Sequence, residues 1–267
     1  MEDKKLNDRL AKIKHKFIVL SGKGGVGKST IAANLALAFA KKGFKTGLLD
    51  VDVHGPSIPK MFGAHGAHLT SSGNTILPYE YGDNLKVISV GLMLENSNQP
   101  VIWRGPLKYS AIKQFIEEVE WGELDYLVVD CPPGTGDEPL SVVQLLGSNC
   151  SGIIVTTPQQ VATVDVAKCI NFCDQLKLPV KGIIENMSGF ICPHCNEEVN
   201  IFSSGGGEKL SKEFNVDFLG KIPIEPGIVK SGDEGKPYLG NKNDTIAAEK
   251  FREIIDSLIE KASSSMP

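Results

Sequence analysis

Long apolar runs are missing from this 267-residue sequence, and none approaches the roughly 20 residues that a membrane-spanning helix needs. A basic surplus is also missing. The net charge is −4 and no basic stripe is present, which gives no electrostatic case for binding nucleic acid. The N-terminal stretch MEDKKLNDRLAKIKHK is too charged for a signal peptide and too acidic for a transit peptide. We therefore expect a cytoplasmic protein that binds neither nucleic acid nor a membrane.

Internal repeats, low-complexity tracts and dividing linkers are absent as well, which predicts one domain over residues 1–267. Short, nearly all-apolar runs alternate with amphipathic stretches of helical spacing, an order typical of a parallel sheet covered on both faces. The predicted fold is α/β, with a mostly parallel central sheet and helices on both sides. The predicted strands cover residues 17–20, 46–49, 87–90, 126–129, 153–156, 182–185 and 218–220. The clearest predicted helices cover residues 31–41, 108–119, 161–176 and 208–214.

The two ends of the chain have their own patterns. Residues 1–15 are predicted to form an N-terminal helix or extension, because the apolar side chains nearby recur at helical spacing: Leu6, Leu10, Ile13 and Phe17. The predicted terminal helix, residues 244–261, carries three basic and five acidic side chains, a net charge of −2. An anionic membrane would not attract such a helix. The stretch ASSSMP, residues 262–267, is predicted to be a frayed tail.

A glycine-rich loop, SGKGGVGKS at residues 21–29, fits two nucleotide-binding motifs. Its glycines fit the dinucleotide pattern G-x-G-x-x-G and also the mononucleotide P-loop G-x-x-x-x-G-K-S/T. Both motifs follow a strand, open a helix and hold phosphate at the helix N-terminus. Asp50 and Asp52 lie about 20 residues past the glycines, where a dinucleotide fold places its ribose acid. That spacing is compatible with NAD.

Lys28 and Ser29 favour a nucleoside triphosphate over a dinucleotide. A dinucleotide is held by backbone N–H groups, whereas a triphosphate carries more charge and comes with Mg²⁺. Lys28 would neutralise the β- and γ-phosphates, and the Ser29 hydroxyl would bind Mg²⁺. The apolar strand in YLVVDCPPGTGDE ends in Asp130, which places a carboxylate where the Mg²⁺ shell needs one. The residues predicted to bind nucleotide are Gly22, Lys23, Gly24, Gly25, Val26, Gly27, Lys28, Ser29, Thr30, Asp50 and Asp130.

Cysteine is infrequent, and none of the six lies before Cys131. Cys192 and Cys195 form a C-x-x-C pair, a spacing that lets two thiolates hold one metal centre. The pair is compatible with half a zinc site, a redox dithiol or half an iron–sulfur site. The sequence has no second C-x-x-C to complete a zinc knuckle, and the setting is not thioredoxin-like. Cys169 and Cys173, spaced i, i+4 on a predicted helix, are expected to be core residues.

The loop sequence K-G-G-V-G-K-S resembles that of the deviant Walker A ATPases, whose signature lysine reaches phosphates bound by a partner subunit. Lys23 matches the signature lysine, and the resemblance implies a face-to-face homodimer with ATP at the interface. It also implies catalytic roles for Lys23, Lys28 and Asp52. Asp52, in LLDVDVHGPSIP, matches the carboxylate that orients the attacking water. Asp50 matches a strand-end acid nearer the metal, and the sequence does not rank the two acids.

The resemblance extends over most of the chain, from about residue 15 to 240. The loop is followed in order by DVDVHGPSIP, VIWRGP, DCPPGTGDEP, ENMSGFICPHC and IFSSGGGEKL. This set is similar to the Mrp/ApbC family of iron–sulfur cluster carrier ATPases. The resemblance implies a P-loop NTPase that hydrolyses ATP and holds a 4Fe-4S cluster on Cys192 and Cys195 at a homodimer interface. It further implies transfer of that cluster to apo iron–sulfur client proteins. Ligand chemistry alone suits Zn²⁺ equally, since a two-fold axis would supply four thiolates.

The remaining family-like segments indicate an adenine site and a pair of residues for which the sequence allows two roles. Asn186, in GIIENM, matches the family's adenine-reading asparagine, although a turn-capping role fits the same residue. Pro223, in IPIEPGIVKSGDEGKP, would flank the adenine through its backbone. Two interpretations fit Trp103 and Arg104, in VIWRGP. In one, both residues form a surface for a second subunit or a client protein. In the other, Trp103 is a core residue and Arg104 is exposed beside it.

Two other functions stay open on the sequence. A MinD/ParA-like positioning or partitioning ATPase would share the P-loop, but it needs a basic patch or a basic amphipathic helix to reach DNA or a membrane. The acidic terminal helix disfavours that function. A zinc-stabilised P-loop dimer would differ from the cluster carrier only in its metal.

Overall fold

The computed structural model of the chain describes residues 2–53, 55–73, 75–93, 103–147, 149–159, 162–192, 194–195, 197–240 and 244–264. Strands and helices alternate along most of these residues, as the apolar pattern predicts, although four short strands follow one another between residues 70 and 89. The strands are β1 (Ile13–Leu20), β2 (Thr46–Asp50), β3 (Thr70–Ser72), β4 (Thr75–Leu77), β5 (Tyr79–Tyr81), β6 (Leu85–Ser89), β7 (Leu124–Asp130), β8 (Ser151–Thr156), β9 (Val180–Ile191), β10 (Glu198–Val199) and β11 (Phe218–Ile224). The α-helices are α1 (Glu2–Leu10), α2 (Lys28–Lys41), α3 (Ile58–Met61), α4 (Gly105–Glu117), α5 (Asp137–Leu146), α6 (Ala162–Gln175), α7 (Gly206–Phe214), α8 (Pro226–Asp233) and α9 (Ile246–Ser263).

The main sheet has β1 near its middle. Its described strands run in the order β10-β9-β8-β1-β7-β2-β6-β5, and β11 also pairs with β9. The pairs that join β1, β2, β6, β7, β8, β9 and β11 are parallel. Strands β5 and β10 pair antiparallel with β6 and β9, and β3 and β4 form a separate antiparallel hairpin. The sheet is therefore mostly parallel, as predicted.

The register of the central strands brings the glycine-rich loop and two acidic residues to one edge of the sheet. Val19 of β1 lies opposite Asp130 of β7. Asp50 of β2 also lies opposite Asp130. Because the carboxyl ends of parallel strands share one edge, the loop after β1 begins beside Asp130, and Asp50 lies one strand further along the same edge.

Helices cover both faces of the sheet. Phe17 and Val19 of β1 pack on one face with apolar residues of α2 and α9. Ile18 and Leu20 point to the opposite face and pack with apolar residues of α4, α5 and α6. Burial on both faces explains why the central strands are nearly all apolar.

The N-terminal helix is shorter than the apolar spacing predicts. Helix α1 ends at Leu10, whereas Ile13 and Phe17 are buried in β1. The extension of the helical pattern to these two residues was therefore wrong. A spacing of four residues also places side chains on one face of a strand, so the spacing does not distinguish the two structures.

Other element boundaries also differ from the prediction. Strand β9 continues to Ile191, which places Asn186 inside the strand instead of at its end. Helix α9 continues to Ser263 with Ala262 buried, so the predicted tail begins inside a helix. Helix α5 was not predicted. Residues 101–102, 161 and 265–267, which belong to predicted segments, lie outside the described residues. None of the helices in the described part of the chain is both long enough and apolar enough to cross a membrane.

Candidate functional site

The loop between β1 and α2 comes so close to neighbouring groups that only glycine fits at two positions. A Cβ atom at Gly22 would lie 2.3 Å from the backbone oxygen of Asp165 in α6. Gly27 has a φ of +81°, and a Cβ atom there would lie 2.3 Å from Nδ2 of Asn186. A larger residue at Gly22 requires the backbone to move, whereas one at Gly27 would strain its own backbone and displace the Asn186 side chain. The loop leads directly into α2, whose first N–H groups are free to bind phosphate.

Lys28 and Asp130 form a buried ion pair beneath the loop. Nζ of Lys28 lies 2.5 Å from Oδ1 of Asp130, and the two side chains are 6% and 1% exposed. Burial alone would lower the pKa of Lys28, but the attraction of Asp130 outweighs burial and raises this pKa. Burial raises the pKa of Asp130, and Lys28 opposes only part of that increase. Lys28 is therefore charged and can act as a counter-charge to phosphate.

The second carboxylate oxygen of Asp130 fits a Mg²⁺ contact. This Oδ2 atom is buried and has no hydrogen-bond partner among the described residues. The hydroxyl oxygen of Ser29 lies 3.4 Å from Nζ of Lys28, beside the same ion pair. Carboxylate and hydroxyl oxygens are ligands of the kind that Mg²⁺ prefers. Asp130 and Ser29 therefore suit a Mg²⁺ ion that enters with a nucleotide.

The two aspartates after β2 occupy different positions. Asp50 is fully buried, and its carboxylate accepts hydrogen bonds from Oγ of Ser89 at 2.8 Å and from the N–H of Asp52 at 3.0 Å. Burial and the nearby Asp130 carboxylate raise the pKa of Asp50 well above its usual value. Asp52 is 9% exposed and lines a cavity over the glycine-rich loop. Asp52 is thus the acid at the cavity wall, and Asp50 holds the backbone behind it.

Two adjoining cavities lie over the loop. The smaller, of about 260 Å³, is lined by loop residues, Asp52 and Pro133. The larger, of about 530 Å³, is lined mainly by apolar residues of β9, β11, α8 and the segment after β10. Both cavities are lined by Gly27, Thr30, Ser57 and Met61. A loop-lined space that opens into an apolar one suits phosphate groups next to a flat base.

Asn186 and Pro223, the residues expected beside adenine, both line the larger cavity. The side-chain amide of Asn186 also donates a hydrogen bond to the carbonyl oxygen of Val26 at 2.9 Å. This bond ties β9 to the glycine-rich loop, which the sequence did not predict. The turn-capping alternative for Asn186 is wrong, because the residue lies within a strand.

Lys23 lies at the wall of the smaller cavity and contacts its own chain. Its Nζ atom donates a hydrogen bond to Oε1 of Gln159 at 3.2 Å. Gln159 follows β8, the neighbour of β1 in the sheet. The sequence did not predict this partner, because 136 positions separate the two residues. The role of Lys23 toward a partner subunit stays a prediction.

Cys192 and Cys195 lie in the connection between β9 and β10. The side chain of Cys192 is half-buried and that of Cys195 is exposed, while the Cys192 N–H donates to the Glu197 carbonyl oxygen at 3.0 Å. Hydrogen bonds from the backbone of Cys195 and His194 lower the pKa of Cys192, which favours the thiolate. Among the described residues, no group of three or more His, Cys, Asp or Glu could hold a metal ion. Within these residues, the pair has no third His, Cys, Asp or Glu beside it that would complete a metal-binding group.

The other cysteines are buried, which confirms the core prediction for Cys169 and Cys173. The side-chain hydrogen bond between Cys169 and Cys173, together with burial, raises the pKa of Cys169. Burial also raises the pKa of Cys131 strongly and that of Cys150 to about 11. Because all four thiols are buried, they differ in chemistry from the accessible C-x-x-C pair.

Trp103 and Arg104 have the arrangement of a core residue beside a surface residue. Trp103 is partly buried and packs against the core cluster of α4, α5 and α6. Arg104 is exposed at the position before α4. This arrangement favours the structural alternative for the two residues.

Glu185 is a buried residue beside the site, and the sequence does not predict its role. It lies in β9 next to Asn186, and its Oε1 accepts hydrogen bonds from Oγ of Ser188 at 2.5 Å and from the N–H of Gly205 at 3.1 Å. Its Oε2 accepts from the N–H of Gly207 at 2.5 Å. The two glycines begin α7, where a carboxylate satisfies free N–H groups. The glycines in the run SSGGGE are the sequence signal of this close contact. A Cβ atom at Gly207 would lie 3.1 Å from Cβ of Glu185, which is a tight contact.

A family model identifies the protein class of this site. The ParA model described as NUBPL iron-transfer P-loop NTPase matches residues 12–259. The chain belongs to this family of P-loop NTPases. The match runs from the strand before the glycine-rich loop into α9, so it includes the ion pair, both cavities and the C-x-x-C pair.

Similar proteins extend this result over nearly the whole chain. An iron-sulfur cluster carrier protein from Methanocaldococcus jannaschii is 48% identical over 260 residues, which are 97% of this chain and 89% of the relative. A cytosolic Fe-S cluster assembly factor NUBP2 homolog from Dictyostelium discoideum is 49% identical over 258 residues, 95% of this chain and 97% of the relative. The structure of a nucleotide-binding protein in complex with ADP from Archaeoglobus fulgidus is 40% identical, with a TM-score of 0.78, and covers 88% of this chain and 92% of its own. These similarities confirm the predicted fold class and the predicted resemblance to iron–sulfur carrier P-loop NTPases.

Proposed function

We propose that this chain is an ATPase that carries a 4Fe-4S cluster between two copies of itself and transfers it to apo iron–sulfur proteins. The names of the similar proteins, a cluster carrier and a cytosolic Fe-S assembly factor, support this function. The observation that carries it is an accessible C-x-x-C pair on a strand connection of a P-loop NTPase. By the same similarity we propose the cytoplasm as its compartment.

The residues around the glycine-rich loop have different roles in binding and hydrolysing ATP. Lys28, kept charged by Asp130, provides a counter-charge to the β- and γ-phosphates, and the N–H groups that begin α2 bind phosphate oxygens. Asp52, at the cavity wall, orients the attacking water. Lys23 reaches the phosphates bound by the second copy. Asn186 lines the larger cavity, which we assign to adenine.

Ser29 and Asp130 are the residues that would hold Mg²⁺. The ion neutralises phosphate charge when bound. The buried and unpartnered Oδ2 atom of Asp130 and the Ser29 hydroxyl supply suitable oxygen donors among the described residues. Lys28 shares Asp130 with this site, so the lysine and the metal position act on the same part of the triphosphate.

Cluster carriage requires two chains. Each chain offers Cys192 and Cys195, whereas a 4Fe-4S cluster takes about four thiolates. A two-fold axis beside the cysteine connection brings two pairs together, which makes the homodimer part of the binding site. Cys195 is exposed and Cys192 half-buried, so a client protein can reach the ligands, which suits transfer.

The positioning or partitioning alternative is less well supported. Such an ATPase needs a free amphipathic helix or a basic patch to reach a membrane or DNA. The apolar residues of α9 are instead buried in the core against the sheet: Phe251, Ile254, Ile255 and Leu258. That face is therefore not available to a membrane.

Anaerobic reconstitution with iron and sulfide tests the cluster assignment. We expect about four iron atoms per dimer, with charge-transfer absorbance in the visible range. Cys192→Ala and Cys195→Ala should remove both the iron and the absorbance while ATP still binds. Cys169→Ala and Cys173→Ala are matched controls, because these thiols are buried in the core, and both should retain the iron.

Two results would contradict the assignment. One is a double variant at Cys192 and Cys195 that still holds iron and activates an apoprotein. The other is stoichiometric zinc in anaerobically isolated protein that takes up no iron, which would favour the zinc-stabilised dimer.

A further inference from the structure

Side chains that closely follow the cysteine pair form part of the wall of the larger cavity. Ile201 and Phe202 line this cavity together with Asn186 and Pro223. They lie only six and seven residues after Cys195. One short stretch of chain therefore borders both the thiols and the space assigned to the nucleotide base.

Ile201 and Phe202 present apolar surface that the chain itself leaves uncovered. Their exposed fractions are 52% and 39%. Apolar side chains that remain exposed at a cavity wall are typical of a ligand site. A purine ring is flat, and an aromatic side chain stacks on it favourably. A base in the cavity would remove this surface from water.

The stretch that carries these residues, here called the connecting segment (residues 197–205), is anchored at both ends. At one end the carbonyl oxygen of Glu197 accepts a hydrogen bond from the N–H of Cys192 at 3.0 Å. At the other end the N–H of Gly205 donates to Oε1 of the buried Glu185 at 3.1 Å. Strand β10 within the segment also pairs with β9, so a contact at Ile201 and Phe202 adds a restraint between β10 and Gly205.

We propose that Ile201 and Phe202 form a wall of the nucleotide-base site and that a bound base, by packing on them, orders the connecting segment and the cysteine pair. This inference rests on the proposed function, which places adenine in the larger cavity. Both residues are positioning residues, because they contact the base and not the reacting phosphates. Coupling between two sites is reciprocal, so a metal held by Cys192 and Cys195 tightens nucleotide binding by the same factor.

Amide hydrogen exchange of the full, metal-free chain measures this ordering directly. Saturating ADP should slow exchange at Cys192 and throughout the connecting segment by about tenfold or more. Inorganic triphosphate fills the phosphate cavity without a base, and it should leave exchange in the segment unchanged. If ADP and inorganic triphosphate slow exchange equally, the inference is overturned. The coupling would then depend on the phosphate-binding loop and not on the base.

Substitution of Phe202 tests the wall itself. In Phe202→Ala, ADP affinity should fall about five- to tenfold, and saturating ADP should no longer slow exchange in the segment. Phe202→Leu keeps an apolar side chain and should recover part of both effects. Val199→Ala is the matched control, because Val199 is 50% exposed on β10 and is not among the described residues that line the cavity. It should behave like the parent.

The outcomes separate this inference from the proposed function. Parent-like affinity and slowing in Phe202→Ala would overturn the inference and leave the ATPase proposal intact. Equal losses in Phe202→Ala and Val199→Ala would also overturn it, because they would indicate general loosening of the segment. A parent chain that does not bind ADP would overturn both. Iron uptake by the parent tests cluster carriage independently of all these measurements.

Discussion

Nζ of Lys28 lies 2.5 Å from Oδ1 of Asp130, so the phosphate-binding lysine already has an anionic partner inside its own chain. The lysine is the first residue of α2 and the aspartate is the last residue of β7. Their ion pair therefore joins the helix to the sheet directly beneath the glycine-rich loop. Because burial deprives both groups of hydration, each charge depends on the other. The pair supports the loop as well as the phosphate site.

Lys28→Ala should have two separable effects. ATP affinity should fall by about 100-fold or more, because the triphosphate loses its main counter-charge. The free energy of unfolding should fall by about 3 kcal/mol, because Asp130 is left buried and unpaired. Calorimetric titration and urea denaturation measure the two effects.

The double variant Lys28→Ala with Asp130→Asn is the control for the unpaired Asp130 carboxylate that Lys28→Ala leaves buried. It should recover much of the lost stability without recovering ATP binding. Recovery of ATP affinity in the double variant would contradict the counter-charge role of Lys28.

Asp52→Asn should slow ATP hydrolysis by about 100-fold or more and leave ATP affinity close to that of the parent. The substitution keeps the side-chain volume but removes the carboxylate at the cavity wall. Asp50→Asn makes the same chemical change at the buried carboxylate held by Ser89, and its effect on the rate should be smaller. Single-turnover hydrolysis separates chemistry from binding. A larger rate loss in Asp50→Asn would reverse the ranking of the two acids.

Lys23→Ala should leave nucleotide binding by the monomer intact but impair ATP-dependent dimer closure and hydrolysis. Sedimentation with a non-hydrolysable ATP analogue measures closure. Gln159→Ala is the matched variant, because it removes only the intrachain acceptor of Lys23. If Lys23 acts on the partner subunit, Gln159→Ala should still close. Equal impairment in the two variants would show that Lys23 acts through its own chain.

Gly22→Ala should lower the free energy of unfolding by about 1–3 kcal/mol, because the added Cβ atom would lie 2.3 Å from the backbone oxygen of Asp165. Gly24→Ala is the matched control in the same loop. Among the described residues its Cβ atom would meet only Cγ of Pro133 at 3.8 Å, an ordinary contact, so the change should stay within about 0.5 kcal/mol. Thermal and urea unfolding of the nucleotide-free chain compare the two. Equal losses of unfolding free energy in the two variants would show that the close contact between Gly22 and α6 is not the cause of the loss.

Residues with distinctive chemistry could be predicted from the sequence because their types and spacing have few other uses. The lysine and serine after the glycines indicated a triphosphate, and the structure places Lys28, Ser29 and Asp130 together. The i, i+4 spacing of Cys169 and Cys173 on an amphipathic stretch predicted core residues, and both are buried. The same kind of periodicity failed near the N-terminus, because a four-residue spacing fits one face of a helix and one face of a strand.

By itself the sequence determined the α/β class, the nucleotide loop, the thiol pair and the family resemblance, since each depends on residues close together in the chain. Only the tertiary structure decided which aspartate lines the cavity and which groups Lys23 and Asn186 contact. The hydrogen bonds of Lys28 with Asp130, Lys23 with Gln159 and Asn186 with Val26 span 102, 136 and 160 positions. Such contacts depend on the order and register of the strands. Local spacing and composition do not specify that order, because many sheet arrangements bury the same apolar runs equally well.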